Sequence, residues 1–119
     1  MKRGEIYWAR LAPRSGSEQS GRRPAIVVSH DVFNRNDRWH SIIVVPISTS
    51  TRQMTRGPTA VLLPRGTASL QYESCALCHQ VTTLDRSKLE GQIGHLPAAL
   101  LRAVEEGLTG ALGMPPRTV

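Results

Sequence analysis

Polar and charged side chains fill residues 16–21, immediately before a short apolar run at residues 24–28. Glycine and serine indicate a loop there, whereas the β-branched run is typical of a buried strand. Pro24 fixes its own φ and favours extended geometry for Arg23, so a strand can hold that guanidinium while the loop admits a ligand. The groups that suit a phosphate are Glu18, Gln19, Arg22 and Arg23. Ordinary surface loops have the same composition, so these residues alone do not establish a phosphate site.

The charge of the chain is positive and uneven along its length. Its 119 residues carry 15 basic and 9 acidic side chains, a net charge of +6, and 13 of the basic residues are Arg. Residues 1–65 account for +7 of this charge and residues 66–119 for −1. One guanidinium group can bind two phosphate oxygens at once. A basic N-terminal half that is rich in arginine therefore favours a nucleic-acid partner. A basic protein without such a role is the alternative that charge alone leaves open.

Several short apolar segments have the pattern of strands. The predicted strands are residues 4–11, 24–29, 41–47, 59–63, one or two within 74–84, and 91–95. In the first strand Ile6 and Trp8 share one face, and we expect Trp8 to belong to the core. Pro46 cannot donate to a neighbouring strand, so it marks an edge strand or the end of a pairing. The pattern predicts one short helical turn within residues 31–38. It predicts a second short turn at residues 85–89, capped by Asp85.

One long helix is predicted close to the C-terminal end. Pro97 suits its first position, and Gly113 with the following prolines ends it. Gly107 and Gly110 each weaken it by about 1 kcal/mol relative to Ala, which close packing would explain. An apolar stripe repeats at helical spacing through Leu100, Leu101, Val104, Leu108, Ala111 and Leu112. Strands followed by one helix predict a single domain over residues 1–119, a small, mostly antiparallel, barrel-like α+β fold.

The segment from Cys75 to His79 matches the pattern for covalent haem attachment. Strand alternation would send Cys75 and Cys78 to opposite faces, which disfavours a disulfide, haem and zinc alike. A structural zinc site also needs four ligands, and the chain has two cysteines in all. We therefore expect two buried thiols, with no metal and no cofactor.

No run of residues approaches the roughly 18 apolar positions of a membrane span. The first residues lead directly into a strand pattern without the apolar centre of a signal peptide. These two observations predict a cytoplasmic protein that does not associate with membranes.

The sequence resembles the MazF/PemK-type toxins of bacterial toxin–antitoxin modules. The residues that carry the resemblance run in order through most of the chain. They are Arg3-Gly4-Glu5-Ile6-Tyr7-Trp8, Gly16-Ser17-Glu18-Gln19, Arg23-Pro24, Val45-Pro46-Ile47-Ser48, Glu73-Ser74, Gln80, Leu84-Asp85, Ile93-Gly94 and the final helix. The resemblance implies an SH3-like barrel with a C-terminal helix, acting as a homodimer. It also implies a metal-independent endoribonuclease that cuts single-stranded RNA and is neutralised by a cognate antitoxin.

The family's functional positions fall on Arg23, Ser48, Glu18 and Gln19. Many relatives have Thr where this chain has Ser48, and serine keeps the hydroxyl. Relatives often have an acid directly before Gln80, where this chain has His79. An imidazole titrates near neutral pH, so an RNA-contacting role and an ordinary surface histidine both remain open.

RNA carries its own nucleophile, the 2′-hydroxyl, so cleavage needs alignment, charge stabilisation and two proton transfers. Arg23 can donate two hydrogen bonds to the phosphate, and Ser48 can donate another. Glu18 is either the base or the partner that orients Arg23, and His79 is a possible second acid or base. Aromatic residues make up only 4% of the chain, so base recognition should rely on hydrogen bonds. Predicted RNA contacts are Ser17, Gln19, Arg22 (pointing away from Arg23), Thr49, Arg52, Arg56, His79 and Gln80.

Two other functions remain open from the sequence alone. Toxins of the same fold that bind DNA gyrase rely on an aromatic residue at the end of the last helix, and this chain has no aromatic residue after Tyr72. A non-catalytic RNA-binding barrel fits the charge equally well, and only RNA cleavage separates it from a ribonuclease.

Overall fold

The computed structural model describes residues 1–11, 21–54 and 57–115. Within these ranges the strands are β1 (Glu5–Leu11), β2 (Gly21–Val27), β3 (Ser41–Ser48), β4 (Ala60–Leu63), β5 (Ser74–Leu77), β6 (Thr82–Asp85) and β7 (Leu89–His95). The helices are α1 (Asp31–Asn34), α2 (Thr51–Met54) and α3 (Ala98–Leu112). Short 3-10 turns occupy Thr67–Ser69, Cys78–Gln80 and Arg86–Lys88. None of the helices in these ranges is long and apolar enough to cross a membrane.

All strand pairs are antiparallel, in the order β4-β5-β3-β2-β1-β7, with β6 also paired to β3. The predicted mostly antiparallel α+β fold with a C-terminal helix is confirmed. On one edge of β3 the partner changes from β6, which pairs as far as Val44, to β5, which pairs from Ile47. Pro46 lies between these two positions, so it marks the end of a pairing inside a central strand and not an edge strand.

The two faces of the sheet build two apolar cores. The first contains Ile6, Ile26, Val45 and Ile47, with Leu70, Val104 and other buried residues. The second lies on the opposite face and contains Ala9, Leu11, Ala25, Val27, Ile42, Val44 and Leu84. In the pairing of β1 with β2, Ile6 lies opposite Ile26 on the face of the first core. Ala9 lies opposite Arg23 on the other face, so the register keeps the residues of the two cores on separate faces. The alternation of residues along each strand therefore assigns each apolar side chain to one of the two cores.

The helix α3 lies against β4 and the Cys78–Gln80 turn. Val104 and Gly107 are its buried residues, and Gly113 ends it with a left-handed φ of 67°. Pro97 occupies the N-cap position before the helix, without a capping side-chain hydrogen bond, and is not the first helical residue as predicted. An ion pair of 2.6 Å between Arg3 and Glu105 joins the helix to the start of the chain.

The turn at Thr67–Ser69 closes the remaining side of the barrel against β7. A Cβ on Gly94 would lie 2.1 Å from the Ala68 carbonyl oxygen, so the two backbones can approach only because this residue is glycine. Ala68 and Ser69 both have a positive φ, 48° and 67°. Residues 69–72, which follow this contact, are thereby held beside the ends of β2 and β3.

The two helical glycines should respond oppositely to alanine. A Cβ on Gly107 would lie 2.7 Å from the Cys78 sulfur, whereas a Cβ on Gly110 meets nothing within 4 Å. We expect Gly110→Ala to stabilise the protein by about 0.5–1 kcal/mol through helix propensity. Gly107→Ala should destabilise it by about 1–3 kcal/mol through overpacking.

Urea unfolding of the two variants, followed by far-ultraviolet circular dichroism, measures both effects. The pair is a matched comparison, because the substitutions are identical and lie one turn apart on one helix. Equal changes in unfolding free energy would contradict the close packing of Gly107 against Cys78.

Candidate functional site

A groove of about 500 Å³ opens over one end of the first core. Ile47 and Leu70, which belong to that core, form part of its floor together with Ile93. Its polar and aromatic lining includes Trp8, Arg22, Arg23, Thr49, Tyr72 and Gln92. The groove thus combines an apolar floor with guanidinium, hydroxyl and amide groups, an arrangement suited to a ligand with flat apolar faces and charged substituents.

One wall of the groove is a stacked pair of side chains from β1 and β2. The guanidinium carbon of Arg22 lies 4.2 Å from the centroid of the Trp8 ring, within the range of a cation–π contact. Trp8 is half-buried and lines the groove, so the prediction that it belongs to the core is wrong. It shares a face with Ile6, but at the end of the sheet where the first core opens to solvent.

Arg23 occupies the position that follows Arg22 in β2. The strand begins at Gly21, three residues earlier than predicted, so both arginines belong to it. Arg23 is exposed and forms part of the groove lining. In the pairing of β1 with β2 it lies opposite Ala9, whereas Arg22 lies opposite Arg10 on the Trp8 face. Both guanidinium groups therefore belong to one end of the sheet but start from opposite faces.

Ser48 is the last residue of β3 and is only 3% exposed. Its hydroxyl oxygen accepts a hydrogen bond of 3.1 Å from the Ser50 N–H. Continuing the β2–β3 register by two residues brings Arg23 opposite Ser48. Of these two neighbouring hydroxyl residues, it is the next one, Thr49, that lines the groove, and it is exposed.

The other predicted contact residues are dispersed. Arg52 lies in α2 and is exposed, outside the groove lining. His79 and Gln80 lie in the 3-10 turn that packs against α3, and the Nδ1 atom of His79 is 2.7 Å from the Thr59 hydroxyl. Four predicted site residues lie outside the described ranges, namely Ser17, Glu18, Gln19 and Arg56.

A network of hydrogen bonds that the sequence analysis missed joins β1 to β7 on the sheet face opposite Ile6 and Trp8. The Glu5 carboxylate accepts hydrogen bonds from the Lys2 N–H (2.6 Å), the Tyr7 hydroxyl (2.9 Å) and the side-chain amide of Gln92 (3.1 Å). Burial alone would raise the pKa of Glu5, but the hydrogen bonds from Lys2 and Tyr7 lower it below its usual value. Burial and the hydrogen bond to Glu5 raise the pKa of Tyr7 to about 12. Glu5 is therefore an ionised acceptor at neutral pH.

The cysteine pair is buried and free of disulfide. Cys75 lies in β5, but Cys78 lies in the following 3-10 turn, so the strand alternation expected between them is wrong. The Cys78 thiol donates to the Val104 carbonyl oxygen at 3.6 Å. Burial raises the pKa of both thiols, that of Cys78 to about 11.

Comparisons with known proteins agree on one family. The family model of PemK-like, MazF-like toxins of type II toxin–antitoxin systems matches residues 2–112. The chain is 32% identical to "Endoribonuclease MazF2" of Mycobacterium bovis over 96% of this chain and 98% of that one. MazF of Deinococcus radiodurans superposes with a TM-score of 0.78 at 29% identity, covering 96% of this chain and 97% of that one. A MazE–MazF crystal structure from the same organism matches with a TM-score of 0.73, also at 29% identity, over 97% of each chain.

The two thiols should be inert in the native protein. At pH 8 a thiol with a pKa of about 11 is ionised in only about one molecule in a thousand, and burial further blocks the reagent. We expect Ellman's reagent to detect almost no thiol in native protein at pH 8 and two per chain after unfolding in guanidinium. Rapid reaction of either cysteine in the native state, or a Soret absorption band, would contradict this expectation.

Proposed function

Because the chain belongs to the PemK-like, MazF-like toxin family of type II toxin–antitoxin systems, we propose that it is an endoribonuclease toxin. It cleaves single-stranded RNA at specific sequences without a metal ion, and a cognate antitoxin inhibits it. The observation that carries this proposal is the match of almost the whole chain to the family and to a relative named as an endoribonuclease. An apolar groove flanked by Arg22 and Arg23 supports it, because such a groove accepts bases and phosphate together.

The proposed reaction uses the 2′-hydroxyl of the RNA as nucleophile. Its oxygen attacks the adjacent phosphorus and the bond to the 5′-oxygen breaks, leaving a 2′,3′-cyclic phosphate and a 5′-hydroxyl. Arg23 donates hydrogen bonds to the phosphate oxygens, where negative charge develops in the transition state. Glu18 either takes the proton of the 2′-hydroxyl or orients Arg23. The leaving 5′-oxygen takes its proton from solvent water, because the His79 ring contacts Thr59 outside the groove.

Ser48 is the proposed second donor to the phosphate. Its oxygen accepts the Ser50 N–H, which leaves the hydroxyl hydrogen able to donate toward a group at the end of β3. The continued register opposite Arg23 supports a shared phosphate for the two residues. Because Ser48 is nearly buried while Thr49 lines the groove, Thr49 is the competing hydroxyl.

The proposed partners and location follow from charge and apolar exposure. An acidic antitoxin segment would cover the basic half of the chain, since complementary charge orients docking. A homodimer would cover apolar side chains that a single chain leaves exposed, such as Leu62, Leu112 and Met114. One toxin domain over residues 1–119 and a cytoplasmic location complete the proposal.

Arg23→Ala should abolish detectable cleavage, because loss of one positioned donor typically costs about 100- to 1,000-fold in rate. Arg23→Lys should also be poor, since an ammonium cannot reproduce the two-pronged contact. Ser48→Ala should lose much of the rate and Ser48→Thr should retain it. Cleavage of a long RNA under single-turnover conditions gives these rates, with circular dichroism confirming that each variant is folded.

The control for charge alone is Arg38→Ala, an exposed arginine in the loop after α1. Arg22 cannot serve as that control, because its guanidinium stacks on Trp8 within the groove. Equal losses in Arg23→Ala and Arg38→Ala would reduce the proposed site to a general basic surface. A larger loss of cleavage rate in Thr49→Ala than in Ser48→Ala would identify Thr49, and not Ser48, as the second donor to the phosphate.

Cleavage should persist in EDTA, because internal attack by the 2′-hydroxyl needs no metal-activated water. The measurement compares rates in excess EDTA with rates in added magnesium at equal ionic strength, since RNA binding depends on salt. If chelation stops the reaction and magnesium restores it, the proposed mechanism fails. If the pure protein binds RNA without cutting it, the endoribonuclease assignment itself fails.

A further inference from the structure

Two arginines face each other across β1 and β2 beside the groove. Arg10 lies directly opposite Arg22 in the register of the two strands, so both side chains leave the same face of the sheet. Trp8, which lines the groove, lies on that face two residues before Arg10. Both arginines are exposed. The sheet therefore presents two guanidinium groups side by side, one in the groove lining and one next to it.

This pair of like charges is unfavourable in the free protein. Side chains directly opposite each other on antiparallel strands have β-carbons only about 5 Å apart, and like charges placed there lower stability. In the part of the chain that the structure describes, Arg22 contacts the Trp8 ring and forms no ion pair. An anion between the two guanidinium groups would offset their repulsion. The arrangement therefore favours a bound anion.

Arg10 retains hydrogen-bond donors for such an anion. Its Nε atom lies 3.5 Å from the Glu90 carboxylate, and one terminal nitrogen donates to the Ser87 carbonyl oxygen at 3.4 Å. Because a guanidinium has five N–H donors, these contacts leave most of them for a ligand. The ion pair with Glu90 is long, and its side chains are 63% and 52% exposed. Such a pair contributes little, so an anion can compete with Glu90 for Arg10.

We propose that Arg10 and Arg22 together bind one backbone phosphate of the RNA, where the strand leaves the groove. This inference rests on the endoribonuclease function proposed above, and it adds Arg10 as a binding residue. Each planar guanidinium can donate two parallel hydrogen bonds to phosphate oxygens. The two non-bridging oxygens of a phosphodiester accept several hydrogen bonds, so one phosphate can bridge both arginines.

The position of the pair indicates a phosphate other than the one that is cleaved. Residues two apart on one face of a strand are separated by about 7 Å, so Arg10 lies a short step beyond Trp8. Arg23, the proposed ligand of the cleaved phosphate, lies opposite Ala9 and starts from the other face of the sheet. Because a phosphate contact carries no base information, the pair should add affinity for RNA of any sequence.

The test measures binding of a fluorescein-labelled single-stranded DNA, which has the backbone phosphates but lacks the 2′-hydroxyl nucleophile and is not cut. Arg10→Gln keeps most of the side-chain length and removes the charge. It should raise the dissociation constant about 10-fold, the value of one hydrogen bond to a charged group. The slope of log Kd against log salt concentration should fall by about 0.7, the value for one phosphate of a single strand.

Two further variants control for charge. Arg38→Gln removes an exposed arginine between α1 and β3, at the opposite end of β2 from Arg22, and should leave the dissociation constant and the slope close to wild type. Glu90→Gln should lower the dissociation constant, because it removes the carboxylate that competes for Arg10. Equal weakening by Arg38→Gln and Arg10→Gln would overturn the inference, since it would show only a general effect of net charge.

A double-mutant cycle tests whether the two arginines share one phosphate. If they do, Arg10→Gln combined with Arg22→Gln should weaken binding by less than the product of the two single effects, because each variant already disrupts the same contact. Effects that multiply would assign the arginines to separate phosphates and overturn the shared site.

Thermal unfolding provides a readout that a purely structural role of Arg10 would not give. Because the guanidinium groups repel each other, Arg10→Gln should keep or raise the melting temperature while it weakens binding. A lower melting temperature, or wild-type affinity for the DNA in Arg10→Gln, would overturn the inference, as would failure of the wild-type protein to bind the DNA. If the binding effects appear but the wild-type protein does not cut RNA, the proposed endoribonuclease function fails while the phosphate site stands.

Discussion

The groove depends on the position of β1 between two strands that pair with it differently. With β2 the register is unbroken from Ile6 opposite Ile26 to Leu11 opposite Gly21. That regularity sets Arg22 on the face of Trp8, where the two side chains stack. With β7 the register shifts on each side of Tyr7, and Gln92 and Ile93 of this irregular stretch line the groove. The regular pairing thus brings charge to one wall of the groove, and the irregular pairing sets part of β7 along the groove.

An apolar floor beneath guanidinium groups has an electrostatic consequence. Apolar surface excludes water, and a charge-assisted hydrogen bond becomes stronger when the local dielectric constant falls. The contact with the Trp8 ring, 4.2 Å from the guanidinium carbon to the ring centroid, restrains the side chain of Arg22. The Arg22 side chain has therefore lost part of its conformational entropy before RNA binds. Such an arrangement favours a ligand that places bases over the floor and phosphates at the rim.

The sequence predicts most of the fold because the patterns that specify it are local. The apolar run that contains Ile26, the left-handed end of α3 at Gly113, and the cap supplied by Asp85 to the Ser87 N–H all follow from neighbouring residues. The start of β2 at Gly21 does not, because residues before Pro24 become a strand only by pairing with β1. Trp8 similarly has the alternation of a core residue, and only the open end of the sheet makes it a groove residue.

The site is less predictable than the fold for the same reason. Arg23 is recognisable because Pro24 follows it and because both belong to a family motif. Gln92 is a single polar residue within a predicted strand, and its hydrogen bond to Glu5 joins residues 87 positions apart in the chain. The register shift that brings the two together is marked in the sequence only by Gly91, which on its own equally suits an ordinary turn.

Residues 69–72 form a further wall of the groove. This wall shows why the backbone shape of the site and its exposed side chains can change separately. Ala68 and Ser69 have positive φ values, a conformation that costs about 1–3 kcal/mol for each residue. It persists because Leu70 is buried in the first core and its carbonyl oxygen accepts the Gly66 N–H at 2.9 Å. Core packing therefore fixes the backbone of this wall. Tyr72 and Gln92, in contrast, are exposed and outside both cores. Substitutions at these two positions should therefore leave intact the core packing that holds the groove open.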